Sequence, residues 1–217
     1  VKFKAVIFDL DGTLLNTLND IVGSLNKVLR DFKFNTHSYD DYKYYVGNGA
    51  KILIDRVVPK DTSETLKEDI LKRYLSTYEE HQYDKTCVYE GIEDLLFKLN
   101  KLEISISVLS NKPHNATVSV ISHYFRMIEF QCVFGQRPGI PIKPDKTSAI
   151  EISKIIGISP SEIIYLGDSD VDMKTAVSSG MFPVGALWGF RTKLELLENG
   201  AKKVIDHPLD LLEIIHS

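Results

Sequence analysis

Ala5-Val6-Ile7-Phe8 runs straight into Asp9-Leu10-Asp11-Gly12-Thr13. The first four residues are apolar, β-branched or aromatic, with no polar alternation, which predicts a parallel strand buried on both faces. The five that follow are acidic and turn-prone. Two carboxylates at i and i+2, just past such a strand, can face one pocket at the carboxyl end of a sheet, where open α/β sheets bind ligands. A carboxylate attacks an anionic phosphate poorly unless a cation screens the repulsion, so aspartyl-phosphate chemistry calls for a metal. Gly12 and Thr13 can offer backbone N–H groups to a phosphate. Taken alone, the same pattern also describes a solvated loop or part of a calcium loop.

Working outward, short apolar runs recur at Ile104–Leu109, Ile128–Phe134, Ile163–Leu166 and Phe182–Leu187. Helical spacing separates the later ones, through Ile92, Leu95, Leu96 and Leu99, and through Ala149, Ile152, Ile155 and Ile156. Such alternation predicts an α/β fold with a doubly wound, Rossmann-like parallel sheet. The stretch 16–84 breaks the rhythm. It holds no convincing buried strand, but Ile21, Leu25, Val28 and Leu29 repeat at helical spacing, as do Leu66, Ile70, Leu71, Tyr74, Leu75 and Tyr78. Pro59 and the residues after it separate two helices, with Ser63 as a cap for the later one. We therefore expect a core of residues 1–15 and 85–217 and an inserted all-α cap of residues 16–84.

Composition narrows the function classes. The chain has 217 residues, 43% hydrophobic and 26% charged, enough for a normal core without staples. Its net charge of -4 comes from acids and bases mixed along the chain, with no basic stripe. That argues against nucleic-acid partners and leaves room for a small anionic substrate. Cys87 and Cys132 have neither disulfide-framework nor metal-like spacing and read as reduced thiols. No apolar run approaches the roughly 18 residues of a membrane span, and the start resembles no signal peptide. The expectation is a cytoplasmic protein with no membrane partner. Oligomeric state is not legible.

Three further patches follow apolar runs or precede helical ones. Ser110-Asn111-Lys112 places a hydroxyl and an amide where they can donate to a phosphoryl group, although Ser or Asn there also suits a helix N-cap. Lys143-Pro144-Asp145 precedes a helical pattern; its ammonium can stabilise charge shifting during transfer, or can lie on the surface. Gly167-Asp168-Ser169-Asp170-Val171-Asp172 is a candidate site for a hard cation, and equally a set of acids favoured by a helix N-terminus. If all four patches meet at one sheet edge, Asp9, Asp11, Asp168 and Asp172 repel one another unless a divalent cation and Lys143 offset their charge.

In order and content these patches resemble the signatures of the haloacid dehalogenase superfamily: Phe8-Asp9-Leu10-Asp11-Gly12-Thr13-Leu14, Ser110-Asn111-Lys112, Lys143-Pro144, and Gly167-Asp168-Ser169 with Asp172. The resemblance covers essentially the whole chain. It implies that Asp9 is the nucleophile and that Asp11 is the acid/base. It implies Mg²⁺ held by Asp9, the Asp11 carbonyl and Asp168, with Asp172 in support. Ser110, Lys143 and backbone groups around Asp11 and Gly12 would grip the phosphoryl oxygens, and Asn111 would orient its loop. The presence of Asp11 argues against the carbon–halogen and carbon–phosphorus cleaving branches.

Within the expected cap, Tyr45-Val46-Gly47-Asn48-Gly49-Ala50-Lys51, with Leu53 and Arg56, is similar to the cap segment of the phosphoglycolate phosphatase subfamily. Leu187-Trp188-Gly189-Phe190-Arg191 is similar to another of its segments. The resemblance implies hydrolysis of a small phosphorylated metabolite, 2-phosphoglycolate first. Pyrophosphate, a sugar phosphate, a mutase reaction and a non-catalytic phosphate-binding module are the alternatives. Asn48, Lys51 and Arg56 are the candidates for contacting the substrate carboxylate; Trp188 and Arg191 are expected to be structural.

Overall fold

A computed structural model describes residues 2–216, so Val1 and Ser217, the outermost residues of the expected core span, lie outside the described residues. The first strand, β1 (Ala5–Phe8), is followed by a two-residue strand, β2 (Leu15–Asn16). Four helices come next: α1 (Leu18–Asp31), α2 (Tyr39–Tyr45), α3 (Ala50–Val57) and α4 (Glu64–His81). After them run β3 (Cys87–Val88), α5 (Ile92–Lys101), β4 (Ser105–Pro113), α6 (His114–Tyr124) and β5 (Cys132–Gln136). The chain continues through α7 (Thr147–Ile156), β6 (Ile163–Gly167), α8 (Asp170–Ser179) and β7 (Phe182–Ala186). It closes with α9 (Lys193–Glu198), β8 (Lys203–Ile205) and α10 (Leu211–His216).

Six strands form one parallel sheet in the order β5-β4-β1-β6-β7-β8. The chain winds from β1 outward to β5, then returns to β6 on the other side of β1. The carboxyl ends of β1, β4 and β6 therefore border a topological switch point. The absence of alternation in β1 has its expected cause. Val6 and Phe8 pack with α5, α6 and α10 on one face, through Leu95, Val120 and Leu211 among others. Ala5 and Ile7 pack with Ala149 and Ile152 of α7 and Ala176 of α8 on the other. Each such fully buried aliphatic or aromatic side chain contributes about 1.5–3 kcal/mol.

Two expectations need correction. The run Ile128–Phe134 enters the sheet only at Cys132, and the strand extends past it to Gln136. β5 lies at the sheet edge, and Ile128 and Phe130 pack beside the core from the loop before it. Strand β8 was not anticipated, because Lys203-Val204-Ile205 is short and begins with an exposed lysine.

The four helices between β2 and β3 have their own apolar cluster, including Leu25, Leu29, Tyr42, Ile54, Ile70 and Tyr74. Ser63 accepts from Leu66 N and caps α4 as expected. The chain enters and leaves this unit side by side, since β2 pairs antiparallel with β3. Asp20 on α1 stitches the return crossing. Its buried carboxylate accepts from Lys85 N, Thr86 N and Thr86 Oγ1. No helix among the described residues is long and apolar enough to cross a membrane.

Candidate active site

The four patches meet at the carboxyl ends of β1, β4 and β6. Asp9 extends the β1–β6 ladder by one bond, Asp9 N to Leu166 O at 2.9 Å, which fixes where its side chain leaves the sheet. Lys143, buried in the loop before α7, reaches between two acids. Its Nζ lies 2.7 Å from Asp9 Oδ1 and 2.7 Å from Asp172 Oδ1. Asp172 is held from behind by a capping box at the start of α8. Its Oδ2 accepts from Ser169 N and Ser169 Oγ while Ser169 Oγ accepts from Asp172 N. One carboxylate thus starts a helix with one oxygen and fixes Lys143 with the other.

Asp168 completes the cluster. One oxygen each from Asp9, Asp168 and Asp172 lies within 4.8 Å of the others. Asp168 Oδ1 accepts from Thr13 Oγ1 at 3.3 Å and Oδ2 from Phe190 N at 2.7 Å. The site is packed tightly enough that glycine is required beside it. A Cβ on Gly12 would sit 2.4 Å from Asp168 Oδ2, and one on Gly189 would sit 2.2 Å from Asp168 Cβ. Trp188 Nε1 donates to Thr13 O, so the segment before Arg191 braces the Asp9–Thr13 loop.

Burial sets the electrostatics. It pushes the Asp168 carboxyl up to about 7, with the Asp172 charge adding and Phe190 N–H, Arg191 and Lys143 opposing. Asp9 is likewise held well above the usual carboxylate range, by burial first and Asp172 second, against the pull of Lys143. Burial works against the Lys143 ammonium, but Asp172 and Asp9 together outweigh it and keep its pKa well above normal. Three buried carboxylates sharing one ammonium are short of positive charge. A hard, all-oxygen donor set of this kind fits a divalent cation.

The remaining expected residues divide. Ser110 and Asn111 line the cavity above the acids. Ser110 Oγ accepts from Lys112 N, leaving its own proton to donate. Asn111 ties two loops together, donating to Lys143 O and Gly47 O and accepting from Lys143 N. Gly12 is a correction. Its N–H donates to Leu15 O at 2.9 Å, and Thr13 N–H donates to Leu10 O, so the turn consumes both groups. Gly12 supplies room for Asp168 instead of a donor. Asn48, Lys51 and Arg56 lie off the cavity wall. Arg56 is turned to its own unit, donating to Tyr45 O at 2.7 Å and to Asn48 Oδ1 at 2.8 Å.

Sequence reasoning missed Lys112. Its Nζ lies 2.9 and 3.2 Å from the two oxygens of Asp11, whose Oδ1 also accepts from Thr17 Oγ1 at 2.7 Å. Only its position in the second signature hinted at a role. Above the acids the helical unit roofs a cavity of about 320 Å³. Arg191 Nη2 donates to Val46 O at 3.1 Å and Tyr83 of the roof meets Ser119 of α6, so contacts tie the roof down on two sides.

Comparison with known proteins agrees with this geometry. The chain is similar to phosphoglycolate phosphatases of Mannheimia succiniciproducens (26% identical) and Haemophilus influenzae (27% identical), each alignment covering 99% of both chains. A crystal structure from Lactobacillus delbrueckii subsp. bulgaricus matches with a TM-score of 0.93 at 28% identity over 99% of each chain. A predicted phosphoglycolate phosphatase from Haemophilus somnus matches at 0.91 and 25% identity, over 99% of this chain and 98% of that one. The family model for haloacid dehalogenase-like hydrolases spans residues 6–186, from β1 to the end of β7, so it takes in all four patches and the helical roof. This chain belongs to the haloacid dehalogenase-like hydrolase family.

Proposed function

We propose that the chain is a phosphatase that hydrolyses a small phosphate monoester through covalent catalysis at Asp9, with 2-phosphoglycolate as substrate and glycolate and phosphate as products. The observation that carries this reading is the convergence of Asp9, Asp168 and Asp172 with Lys143 bridging two of them. The activity named for the relatives supports the choice of ester.

In this reading an Asp9 carboxylate oxygen bonds to phosphorus as the bond from phosphorus to the leaving oxygen breaks. The leaving oxygen takes a proton from Asp11. Asp11 then takes a proton from water as the water oxygen bonds to phosphorus and the acyl-phosphate bond to Asp9 breaks. Ser110 and Lys143 face the phosphoryl oxygens, and Asn111 holds the backbone that presents Lys143. Mg²⁺ would be held by Asp9, Asp168 and the Asp11 carbonyl, with Asp172 in support. When bound, it supplies the positive charge that lets a carboxylate approach an anionic phosphate. Residues 16–84 act as the cap that shields the reaction from bulk water.

The test is a panel of phosphorylated metabolites with Mg²⁺, ranked by kcat/KM, run on the wild-type protein and on Asp9→Asn. Phosphoglycolate should rank ahead of pyrophosphate, and Asp9→Asn should release phosphate from no ester. Turnover that survives in Asp9→Asn, or no turnover by the wild-type protein with either Mg²⁺ or Mn²⁺, overturns the reading.

A further inference from the structure

Four consecutive residues between β7 and α9 each hold a different part of the molecule. Trp188 Nε1 donates to Thr13 O at 2.9 Å, in the loop after β1. Gly189 lies so close to Asp168 that a Cβ there would sit 2.2 Å from Asp168 Cβ. Phe190 N donates to Asp168 Oδ2 at 2.7 Å, while Phe190 also packs against the apolar cluster of the roof. Arg191 Nη2 donates to Val46 O at 3.1 Å and to Tyr44 O at 3.4 Å, and its guanidinium carbon lies 5.2 Å from the centre of the Tyr44 ring.

The Arg191 contact has the chemistry of a dock. Helix α2 ends at Tyr45, and the last carbonyls of a helix lack intrahelical partners and carry its negative pole. Arg56, from α3 of the roof itself, donates to Tyr45 O at 2.7 Å and to Tyr44 O at 3.3 Å. Arg191 comes to the same helix end from the core. Its direction is set by α9, where its Nε lies 3.1 Å from Glu195 Oε1 and Thr192 Oγ1 caps Glu195 N. The loop it seats is cavity wall, since Val46, Gly47 and Gly49 line the cavity and Gly47 O accepts from Asn111 Nδ2.

Lifting the roof would take Val46 O from Arg191 and the roof's apolar cluster from Phe190. Gly189 and Arg191 are two residues apart, a span of at most about 7 Å. A shift at the roof end of this short segment therefore reaches the end that presses on Asp168. We propose that Arg191 is a positioning residue through which seating of the roof at Val46 and placement of Asp168 favour each other, so that a divalent cation held at Asp168 and closure of the cavity are coupled. Such coupling is reciprocal: what the closed roof adds to cation affinity, the cation adds to closure. This inference rests on the metal-dependent reading above and names what joins the roof to its metal ligand.

The test uses the full chain and two readouts that need no substrate: Mg²⁺ affinity by calorimetry, and amide hydrogen exchange over residues 46–53 with and without Mg²⁺. Mg²⁺ should slow that exchange in the wild-type protein. Arg191→Met should weaken Mg²⁺ binding about fivefold or more, the low end of coupling between sites, and should abolish the slowing. Arg191→Lys keeps the charge and should recover part of both. Arg56→Met loses contacts to the same helix end within the roof alone and should leave Mg²⁺ affinity unchanged.

The sign of the change separates positioning from charge. Arg191 is among the positive charges acting on Asp168, so a role through charge alone would repel the cation, and its loss would tighten Mg²⁺ binding. Tighter or unchanged binding in Arg191→Met, an equal loss in Arg56→Met, or wild-type exchange that ignores Mg²⁺ overturns the inference. Should Arg191→Met fail to fold, Phe190→Ala carries the test, because it keeps its N–H on Asp168 and loses only packing against the roof. It should also weaken Mg²⁺ binding, and unchanged affinity there counts equally against the coupling. Coupling without turnover of any ester would remove the phosphatase reading alone, whereas a wild-type protein that binds no Mg²⁺ would sink both.

Discussion

Lys112 meets Asp11 head on, its ammonium 2.9 Å from one carboxylate oxygen and 3.2 Å from the other. The partner stands near the carboxyl end of β4, the strand that pairs directly with β1, beside the loop in which Asp11 lies. With the Thr17 hydroxyl it fixes the carboxylate that the proposed mechanism uses to give and take a proton. Lys112→Met should therefore lower kcat by about 10- to 100-fold, in the range of a misplaced acid/base group. KM should change far less. Steady-state kinetics on a variant with wild-type circular dichroism checks this, and Lys112→Arg should recover part of the loss.

The acid cluster makes the metal-free protein less stable as pH rises. Asp168 titrates near 7 when folded, against an ordinary value of 3.8, and Asp9 is raised too. Between those limits the folded chain holds more protons than the unfolded one, so the free energy of unfolding falls with increasing pH. In chelator, Tm should drop between about pH 4 and pH 7, and Asp168→Asn should flatten that slope. The proposed Mg²⁺ would bind the deprotonated carboxylates, so its affinity should rise over the same interval, with protons released on binding. Calorimetry in two buffers of different ionisation enthalpy reads that release.

Gly189→Ala tests how closely Asp168, a proposed metal ligand, is packed. The new methyl would lie 2.2 Å from Asp168 Cβ and 2.5 Å from Gly12 O, neither of which is a flexible chain end. Overpacking of this kind costs about 1–3 kcal/mol. The Mg²⁺ concentration for half-maximal activity should rise along with the loss of Tm, because the displaced residue is itself a proposed ligand. A Tm loss with unchanged metal dependence would mean that the strain is relieved away from Asp168.

Asp20 carries a different burden. It lies outside the cavity wall, yet its buried oxygens receive two backbone N–H groups and a hydroxyl from the crossing back to the core. Asp20→Asn turns one acceptor into a donor facing those N–H groups, for a loss of about 1–3 kcal/mol. In a chain of this size that reads as a Tm lower by several degrees. Proteolysis near Lys85 should speed up as well.

How much of this was legible depended on the range of the interaction. β1, β4 and β6 were readable because strands buried on both faces leave a continuous apolar run. Asp9, Asp168, Lys143 and Ser110 were readable because each follows or precedes such a run and because the signatures occur in the family's order. Short edge elements were not: β8 has one buried residue, and β5 begins four residues after its apolar run does. The Lys112–Asp11 pair spans 101 residues and depends on how the end of β4 faces the loop after β1, which no local pattern encodes. Tyr78 fitted the helical stripe and read as core, although its ring also forms the cavity wall. Arg56 and Asn48 satisfy each other, a pairing that neither composition nor spacing revealed.

The ribbon of β2 and β3 bears on how such a protein could be rebuilt. Because Leu15 pairs with Val88 and Asn16 with Cys87, everything between them leaves and rejoins the scaffold at a single doorway. A short turn joining those two crossings would close the gap without disturbing the sheet, and a foreign module with adjacent ends could be spliced into the same place. One excision would thereby remove the helical unit, and with it the Thr17 hydroxyl that holds Asp11.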